Sequence, residues 1–188
     1  MKGVVFNLFE AFVVENWGEE TYWKLVDACS LETSDGVFVG PGTYPDADLF
    51  TLVTKASEML EVPAIEAIRA FGKFCLPHLM DKAGPLVEDI PSAKELLKQV
   101  DSVIHVEVRK MYPGAVTPVF RYEDTGPDRL ILEYRSNRKL CAFVEGLIEG
   151  AGDHYDTKIE YEHGPCMHHG SDHCSFSLRF EEQAQGVA

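Results

Sequence analysis

The sequence lacks any long apolar run. No stretch of this 188-residue chain approaches the ~20 consecutive apolar residues that a membrane-spanning helix needs. The start of the chain is also unlike a secretory signal, because Asn7, Glu10 and Glu15 interrupt its apolar residues and no small-residue cleavage site follows. We therefore expect a cytoplasmic protein with no membrane contact.

Basic residues are scarce as well. Lysine and arginine number 17 against 31 aspartates and glutamates, and the formal net charge is -14 at pH 7. Binding to nucleic acids or acidic membranes depends on cationic protein groups, so this charge disfavours both partners. Any anion-binding site in this chain has to be a local cluster of cationic and polar groups.

Internal repeats and low-complexity linkers are absent, and the cysteine count of five is odd. In a reducing compartment such cysteines are more often free thiols or metal ligands than disulfide partners. A chain of this length fits one domain that buries roughly 70% of the surface exposed on unfolding. We predict a single domain over 1–182, with a helical subdomain (1–62) and a helix-plus-sheet subdomain (63–182), followed by a disordered tail (183–188).

The first half carries apolar residues at helical spacing. This spacing predicts helices over 4–16, 22–29, 46–60 and 63–79. Pro77 should kink or shorten the fourth helix, because proline lacks the amide that a helix interior uses. A capping box at residues 92–95 then predicts one long helix over 92–111.

The second half changes to strand-like alternation. The pattern predicts a hairpin over 116–122 and 129–134, a helix over 139–151, and two further strands over 157–163 and 174–180. Pro118 lies near the start of the first strand, where a missing donor is tolerated. The expected fold class is α+β, with an N-terminal helical part followed by helices packed on a four-stranded antiparallel sheet.

Histidine and cysteine converge at one end of this sheet. His163 and Cys174 lie on the same face of their strands, with Cys166 in the connection between them. That face must pack on the helix that carries Cys141, so the four side chains can meet. One imidazole and three thiolates form a closed tetrahedral zinc set, which is typical of a structural ion.

Two alternatives to a structural zinc site stay open. The segment can be a reduced hairpin without metal, in which His168, His169 or His173 is a bystander or takes the place of His163. A redox role is also possible, because oxidation of the thiolates would release the ion.

Tyr134, Ser136 and Arg138 share one face of an extended segment. Two hydroxyls and a guanidinium suit an anion with several oxygens, although a solvated strand end has the same pattern. His105 lies at the border of an apolar helix stripe, one turn after Asp101. A hydrogen-bonded core histidine and a metal ligand are both compatible with that position.

Taken together, His105, Pro118 thirteen residues later, and the Tyr134-x-Ser-x-Arg138 motif resemble the H-NOX family of haem-nitric oxide/oxygen binding domains. The resemblance spans nearly the whole chain, from its Met-Lys-Gly start to a Cys/His set similar to the zinc site of bacterial members. It implies a b-type haem with His105 on the iron and the propionates held by Tyr134, Ser136 and Arg138. Pro118 would press on the porphyrin and hold it out of plane.

The resemblance also indicates which gas is bound. Oxygen-binding relatives carry a distal tyrosine at the position of Phe143, and its presumed neighbours in the distal pocket are Val5, Phe9, Val144 and Leu147. Bound O2 needs a hydrogen-bond donor, whereas NO binds ferrous haem strongly without one. We expect NO and CO as ligands and little O2 binding, with the positions of Tyr112 and Tyr155 left open.

The expected function is a nitric oxide sensor that is not itself an enzyme. NO should release His105 from the iron and free the helix over 92–111. We expect no output domain within these 188 residues, and the family implies a separate histidine kinase or diguanylate cyclase as the partner. A zinc-thiolate redox switch is the alternative, and a haem enzyme is disfavoured because the presumed distal side offers no acid or base.

Overall fold

Four antiparallel strands form one sheet in the order β1-β2-β4-β3. The strands are β1 (Val119–Gly126), β2 (Arg129–Arg135), β3 (Thr157–His163) and β4 (Cys174–Glu182). In the central pair, Tyr134 of β2 lies opposite Cys174 of β4. Alternate residues of β2 (Leu130, Leu132 and Tyr134) are buried. The predicted α+β class with a four-stranded antiparallel sheet is therefore confirmed.

Seven α-helices accompany the sheet in this computed structural model, which describes residues 1–32 and 35–182. They are α1 (Gly3–Trp17), α2 (Glu19–Asp27), α3 (Asp46–Leu60), α4 (Ala64–Ala83), α5 (Ala93–Gln99), α6 (His105–Met111) and α7 (Cys141–His154). The predicted tail over 183–188 lies outside the described residues, and the subdomain boundary at residue 62 stays a prediction. Within the described ranges, no helix is both long and apolar enough to span a membrane.

The first three helices and α4 enclose an aromatic-rich core. Phe6, Phe12 and Leu52 are among its buried members, and Phe71 of α4 packs edge-on against Phe9 with ring centroids 5.5 Å apart. The helical spacing of apolar residues in α1 places most of them on this buried side.

Pro77 does not shorten α4, which continues to Ala83. Proline removes the donor that would bond the carbonyl of Lys73, four residues earlier. On that side α7 approaches closely, and a Cβ on Gly150 would lie 3.0 Å from the Lys73 oxygen. The two helices pack at short range along their length, because a Cβ on Gly146 would collide with the Arg69 carbonyl.

The segment over 92–111 is not one continuous α-helix. Ser92 caps α5 by accepting a hydrogen bond from the amide of Glu95 at 3.3 Å, as the capping box predicts. A π-helical turn (Val100–Ile104) then separates α5 from α6. Such turns are rare and concentrate at functional sites, and here the turn places His105 at the first position of α6.

Candidate functional site

A cavity of about 430 Å³ opens between the helical part and the sheet. Its lining comes from α1, α3, α4, α5, α6 and α7, from the π-helical turn, and from β1 and β2. This volume is in the range of small-molecule and cofactor sites. His105, Pro118, Tyr134, Ser136 and Arg138 all line it.

His105 is the imidazole in this wall. Its side chain is 15% exposed, and Nδ1 lies 3.4 Å from the Asp101 carboxylate. Burial lowers the pKa of His105, although Asp101 opposes this effect. The ring is therefore neutral at neutral pH, the form in which imidazole binds a metal.

The hydroxyl and guanidinium groups at the sheet edge are held in place by local hydrogen bonds. The Ser136 hydroxyl accepts from the Arg138 amide at 3.2 Å, and the Tyr134 hydroxyl accepts from the Leu140 amide at 3.1 Å. Arg138 donates through Nη1 to the Val116 carbonyl at 2.8 Å. A guanidinium has five N–H donors, so this group can also bind an anion in the cavity.

Asp46 is a site residue that the sequence reading missed. Its carboxylate lies 2.7 Å from Arg138 Nε and 2.7 Å from the amino group of Met1. Burial opposes ionisation, but hydrogen bonds from these two cations lower the pKa of Asp46. Because Asp46 and Arg138 are 92 residues apart, no local sequence pattern could have joined them.

The apolar side of the cavity contains most of the predicted distal residues. Val5, Phe143, Val144 and Leu147 line it. Phe9 instead lines a small adjoining apolar cavity of about 20 Å³. In the described part of the chain, the lining side chains from α1 and α7 are all apolar.

The two tyrosines left open by the sequence have different positions. Tyr112 lines the cavity just after α6, with the Lys2 ammonium 5.9 Å from its ring centre. Tyr155 donates to the Ile90 carbonyl at 3.1 Å and is not part of the lining. A third tyrosine, Tyr122, does line the cavity, and its buried hydroxyl has no partner among the described residues.

The predicted metal ligands also converge. One ligand atom from each of Cys141, His163, Cys166 and Cys174 lies within 4.8 Å of the others. The Cys166 sulfur is 4.0 Å from that of Cys141 and 3.7 Å from that of Cys174. Tetrahedral zinc with bonds of ~2.3 Å spaces its sulfur ligands by ~3.8 Å, so the cluster has the dimensions of a zinc site.

The chemistry of the cluster also fits a cation. His163 has a buried Nε2 with no hydrogen-bond partner in the described chain, which leaves its lone pair for a metal. Burial raises the pKa of Cys141 to about 12, and the neighbouring thiols add to this effect. A bound cation would supply the charge that three buried thiolates need. Of the alternative histidines, His168 bonds the Lys139 carbonyl instead, at 2.8 Å.

Known proteins resemble this chain over most of its length. The model of the haem-NO-binding family matches residues 2–163. A soluble guanylate cyclase of Caenorhabditis elegans, gcy-32, is 26% identical over 153 residues, which are 79% of this chain and 22% of that protein. The chain spans about a fifth of the length of the curated relatives it matches.

Solved structures resemble the whole fold. An H-NOX protein from Shewanella oneidensis in the Fe(II)NO ligation state is 30% identical, with a TM-score of 0.90 over 96% of this chain and 99% of that one. The unliganded Fe(II) H-NOX protein from K. algicida is 26% identical, with a TM-score of 0.88 over 97% of this chain and 98% of that one. The chain belongs to the haem-NO-binding, or H-NOX, family, whose members are haem-binding gas-sensor domains and not enzymes.

Proposed function

We propose that this chain is a nitric oxide sensor that binds NO at a ferrous b-type haem and signals through release of His105. The observation that carries the proposal is the cavity of about 430 Å³ that His105 lines together with Tyr134, Ser136 and Arg138. When bound, the haem would supply the iron that takes up the gas. The protein supplies the axial ligand, the anchor for the propionates and the walls.

Arg138, the proposed propionate anchor, and His105, the proposed iron ligand, are held in place to different degrees. Arg138 is fixed by Asp46 and by the Val116 carbonyl, so its guanidinium would hold a propionate with little loss of side-chain freedom. His105 stands on α6, a helix of seven residues none of which is fully buried. We infer that the sheet edge stays fixed and that α6 moves when His105 is released.

The apolar wall supports the choice of NO. Phe143 occupies the position at which O2-binding relatives carry a tyrosine, and Val5, Val144 and Leu147 line the same cavity. Without a donor, the polar outer oxygen of bound O2 loses its stabilising hydrogen bond, whereas NO and CO need none. The S. oneidensis H-NOX structures in the Fe(II)NO and Fe(II)CO ligation states support both gases as ligands.

Signalling requires a partner protein that responds to the movement of α6. We propose a separately encoded histidine kinase or diguanylate cyclase, which would recognise the changed surface around α6. A ligand shifts such an equilibrium only through its different affinity for the two states, and loss of the iron–His105 bond supplies that difference.

Absorption spectra of the reduced protein with NO, CO and O2 test the gas selectivity. We expect the haem Soret band to shift with NO and CO and to stay unchanged on brief exposure to O2. A stable O2 complex would contradict the proposed selectivity, and a purified protein that takes up no haem would contradict the haem site itself.

We also propose a structural zinc ion at Cys141, His163, Cys166 and Cys174. The thiol spacing and the partnerless His163 Nε2 support it. The second candidate function, a zinc-thiolate redox switch, uses the same cluster. Metal analysis before and after peroxide treatment separates the two, because a structural zinc should be retained at peroxide levels that a redox switch would sense.

A further inference from the structure

We propose that Glu145 is a positioning residue for the zinc site, where it orients His163 through Nδ1 so that Nε2 is the metal-binding atom. This role rests on the zinc site proposed above. Two groups outside the four zinc ligands take part: the Glu145 carboxylate, and the Arg69 guanidinium that holds it.

The geometry around Glu145 is that of a bridging carboxylate. Glu145 lies on α7 and is only 6% exposed. Its Oε1 is 2.8 Å from His163 Nδ1. Its Oε2 accepts from Arg69, at 2.8 Å from Nε and 2.6 Å from Nη2. Each oxygen of this buried carboxylate therefore has a partner of its own.

The two nitrogens of His163 are in contrasting surroundings. Nδ1 lies against the carboxylate, and Nε2 is buried without a partner among the described residues. Metal-binding histidines characteristically donate their second ring N–H to a carboxylate or carbonyl, which fixes the tautomer and the ring orientation. Glu145 would select the Nδ1–H tautomer and thereby present the Nε2 lone pair to the thiol cluster.

The position of Glu145 in α7 links it to the ligands. It follows Cys141 by four residues and so lies on the same helix face, one turn further on. The next residue, Gly146, lets α7 approach α4 so closely that a Cβ there would collide with the Arg69 carbonyl. This close approach brings the Arg69 guanidinium within reach of Glu145.

A purely structural role for Glu145 would be an ion pair between α4 and α7. The chain contains a matched control for this possibility, because Glu149 lies one turn further along α7. It contacts Arg69 Nε at 4.0 Å and accepts from the Tyr161 hydroxyl at 2.8 Å, but the structure gives it no bond to His163. Glu145 and Glu149 therefore differ in the contact that the proposal depends on.

The test is zinc affinity of the full-length, reduced protein, measured by competition with a chromogenic chelator. The comparison includes the wild type, Glu145→Gln, Glu145→Leu and the control Glu149→Gln. We expect zinc affinity to fall about 10–100-fold in the Glu145 variants, because loss of a carboxylate that bonds a metal ligand has this effect. Glu145→Leu should bind zinc more weakly than Glu145→Gln. The control should keep wild-type affinity. Haem content, measured with zinc in excess, checks that each variant is folded, because Glu145 does not line the large cavity.

Nitrogen NMR of the zinc-loaded protein gives a second readout that a structural ion pair would not move. We expect the wild type to show a protonated Nδ1 and a metal-bound Nε2 at His163, and the Nδ1 proton to exchange faster in Glu145→Gln. Wild-type zinc affinity in both Glu145 variants, or an equal loss in Glu149→Gln, would overturn the role of Glu145. A wild-type protein that binds no zinc would overturn the zinc site, and the role of Glu145 with it.

Discussion

Single residues define the chemistry of the large cavity. Burial lowers the pKa of His105 and keeps its ring neutral, while Asp101 lies on its Nδ1 side. If iron binds at Nε2, the Asp101 carboxylate would lie on the opposite nitrogen of the same ring. Such a carboxylate raises the basicity of a histidine ligand. Among the described residues, the lining side chains of α1 and α7, with Phe143 among them, are all apolar. These residues support iron binding at one wall and gas binding at the other.

Replacing His105 tests the axial ligand. We expect His105→Gly to lose most of its haem during purification and to regain it when free imidazole is added, because the cavity left by the side chain can hold imidazole. The haem-to-protein ratio, measured as the pyridine complex, gives the result. His78→Gly is the control, since His78 is a helix histidine bonded to the Phe74 carbonyl. Unchanged haem content and spectrum in His105→Gly would remove this residue from the site.

Adding a hydroxyl at Phe143 tests the gas selectivity. Phe143→Tyr would place a donor on the apolar wall, and a hydrogen bond of ~1.5 kcal/mol to bound O2 corresponds to about tenfold in affinity. We expect the absorption spectrum of the reduced variant to show a larger O2-bound fraction than that of the wild type at the same O2 concentration. Phe74→Tyr, on α4 but outside the cavity lining, should change nothing. An O2 complex no more stable than that of the wild type would contradict the expectation.

At the scale of elements, the segment over 92–111 has one fixed end and one loose end. In α5, Ala93, Leu96 and Leu97 are buried, whereas the π-helical turn and α6 have no fully buried residue. The Lys94 ammonium donates to the Gly126 carbonyl at 2.6 Å and to the Asp124 carboxylate at 2.6 Å, which attaches α5 to the end of β1. If His105 is released as proposed, we expect the movement to begin at the π-helical turn.

Removing the Lys94 ammonium tests this attachment. We expect Lys94→Met to lower the free energy of unfolding by about 1–3 kcal/mol, because it leaves the Gly126 carbonyl without its charged donor. Urea denaturation measures the change, with the more exposed Lys98→Met as a control that should stay within ~0.5 kcal/mol. A Lys94 variant as stable as the control would mean that the contact does not anchor α5.

The same attachment has a predictable pH dependence. The Lys94 and Lys98 ammonium groups lower the pKa of Asp124 to about 2, below its ordinary value of 3.8. The carboxylate therefore stabilises the folded state above pH 3.8, and this contribution is lost as the pH falls towards 2. We expect the difference in acid stability between wild type and Asp124→Asn to disappear over that window, as followed by circular dichroism.

At the scale of the whole molecule, α7 connects the two sites. Phe143, Val144 and Leu147 face the large cavity, while Cys141 joins the thiol cluster and Glu145 bonds His163. The sheet also connects the two sites, because Tyr134, which lines the cavity, lies opposite Cys174, which belongs to the cluster. A metal that stabilises the cluster should thus stabilise the scaffold of the haem cavity.

Metal removal tests this coupling. With free zinc at about 100 times its Kd, binding stabilises the fold by ~2.7 kcal/mol, which is about 5–10 °C in Tm at this chain length. We expect a chelator to lower the Tm of the wild type by that amount and to leave Cys174→Ser unaffected. Cys29→Ser, outside the cluster, should respond as the wild type does. A Tm that is insensitive to the chelator would contradict a structural zinc.

Local patterns in the sequence predict the elements but not the contacts between them. Alternation around Leu130 and Leu132 identifies β2, and the box at Ser92 identifies the start of α5, because each depends on neighbours within a few residues. The Asp46–Arg138 pair spans 92 residues and leaves no local trace. Helical periodicity alone predicts one continuous helix over 92–111, because it does not distinguish a single π-helical turn from an α-helical one.

Glu145 is a second residue that the sequence reading missed, although it left a weak local signal. Its spacing of four from Cys141 places a carboxylate on the ligand-bearing face of α7. The signal could be read only after the fold had brought α7 against His163, because Glu145 stands in a helix where an exposed acidic residue is the ordinary expectation.

The most direct test of the central claim is the electron paramagnetic resonance spectrum of the reduced protein with NO. If NO binding releases His105, the unpaired electron couples to the nitrogen of NO alone, and the signal is a simple triplet. Retention of the iron–His105 bond would add a second splitting from the imidazole nitrogen. We expect the triplet, and the additional splitting in the fully NO-bound protein would contradict release of His105.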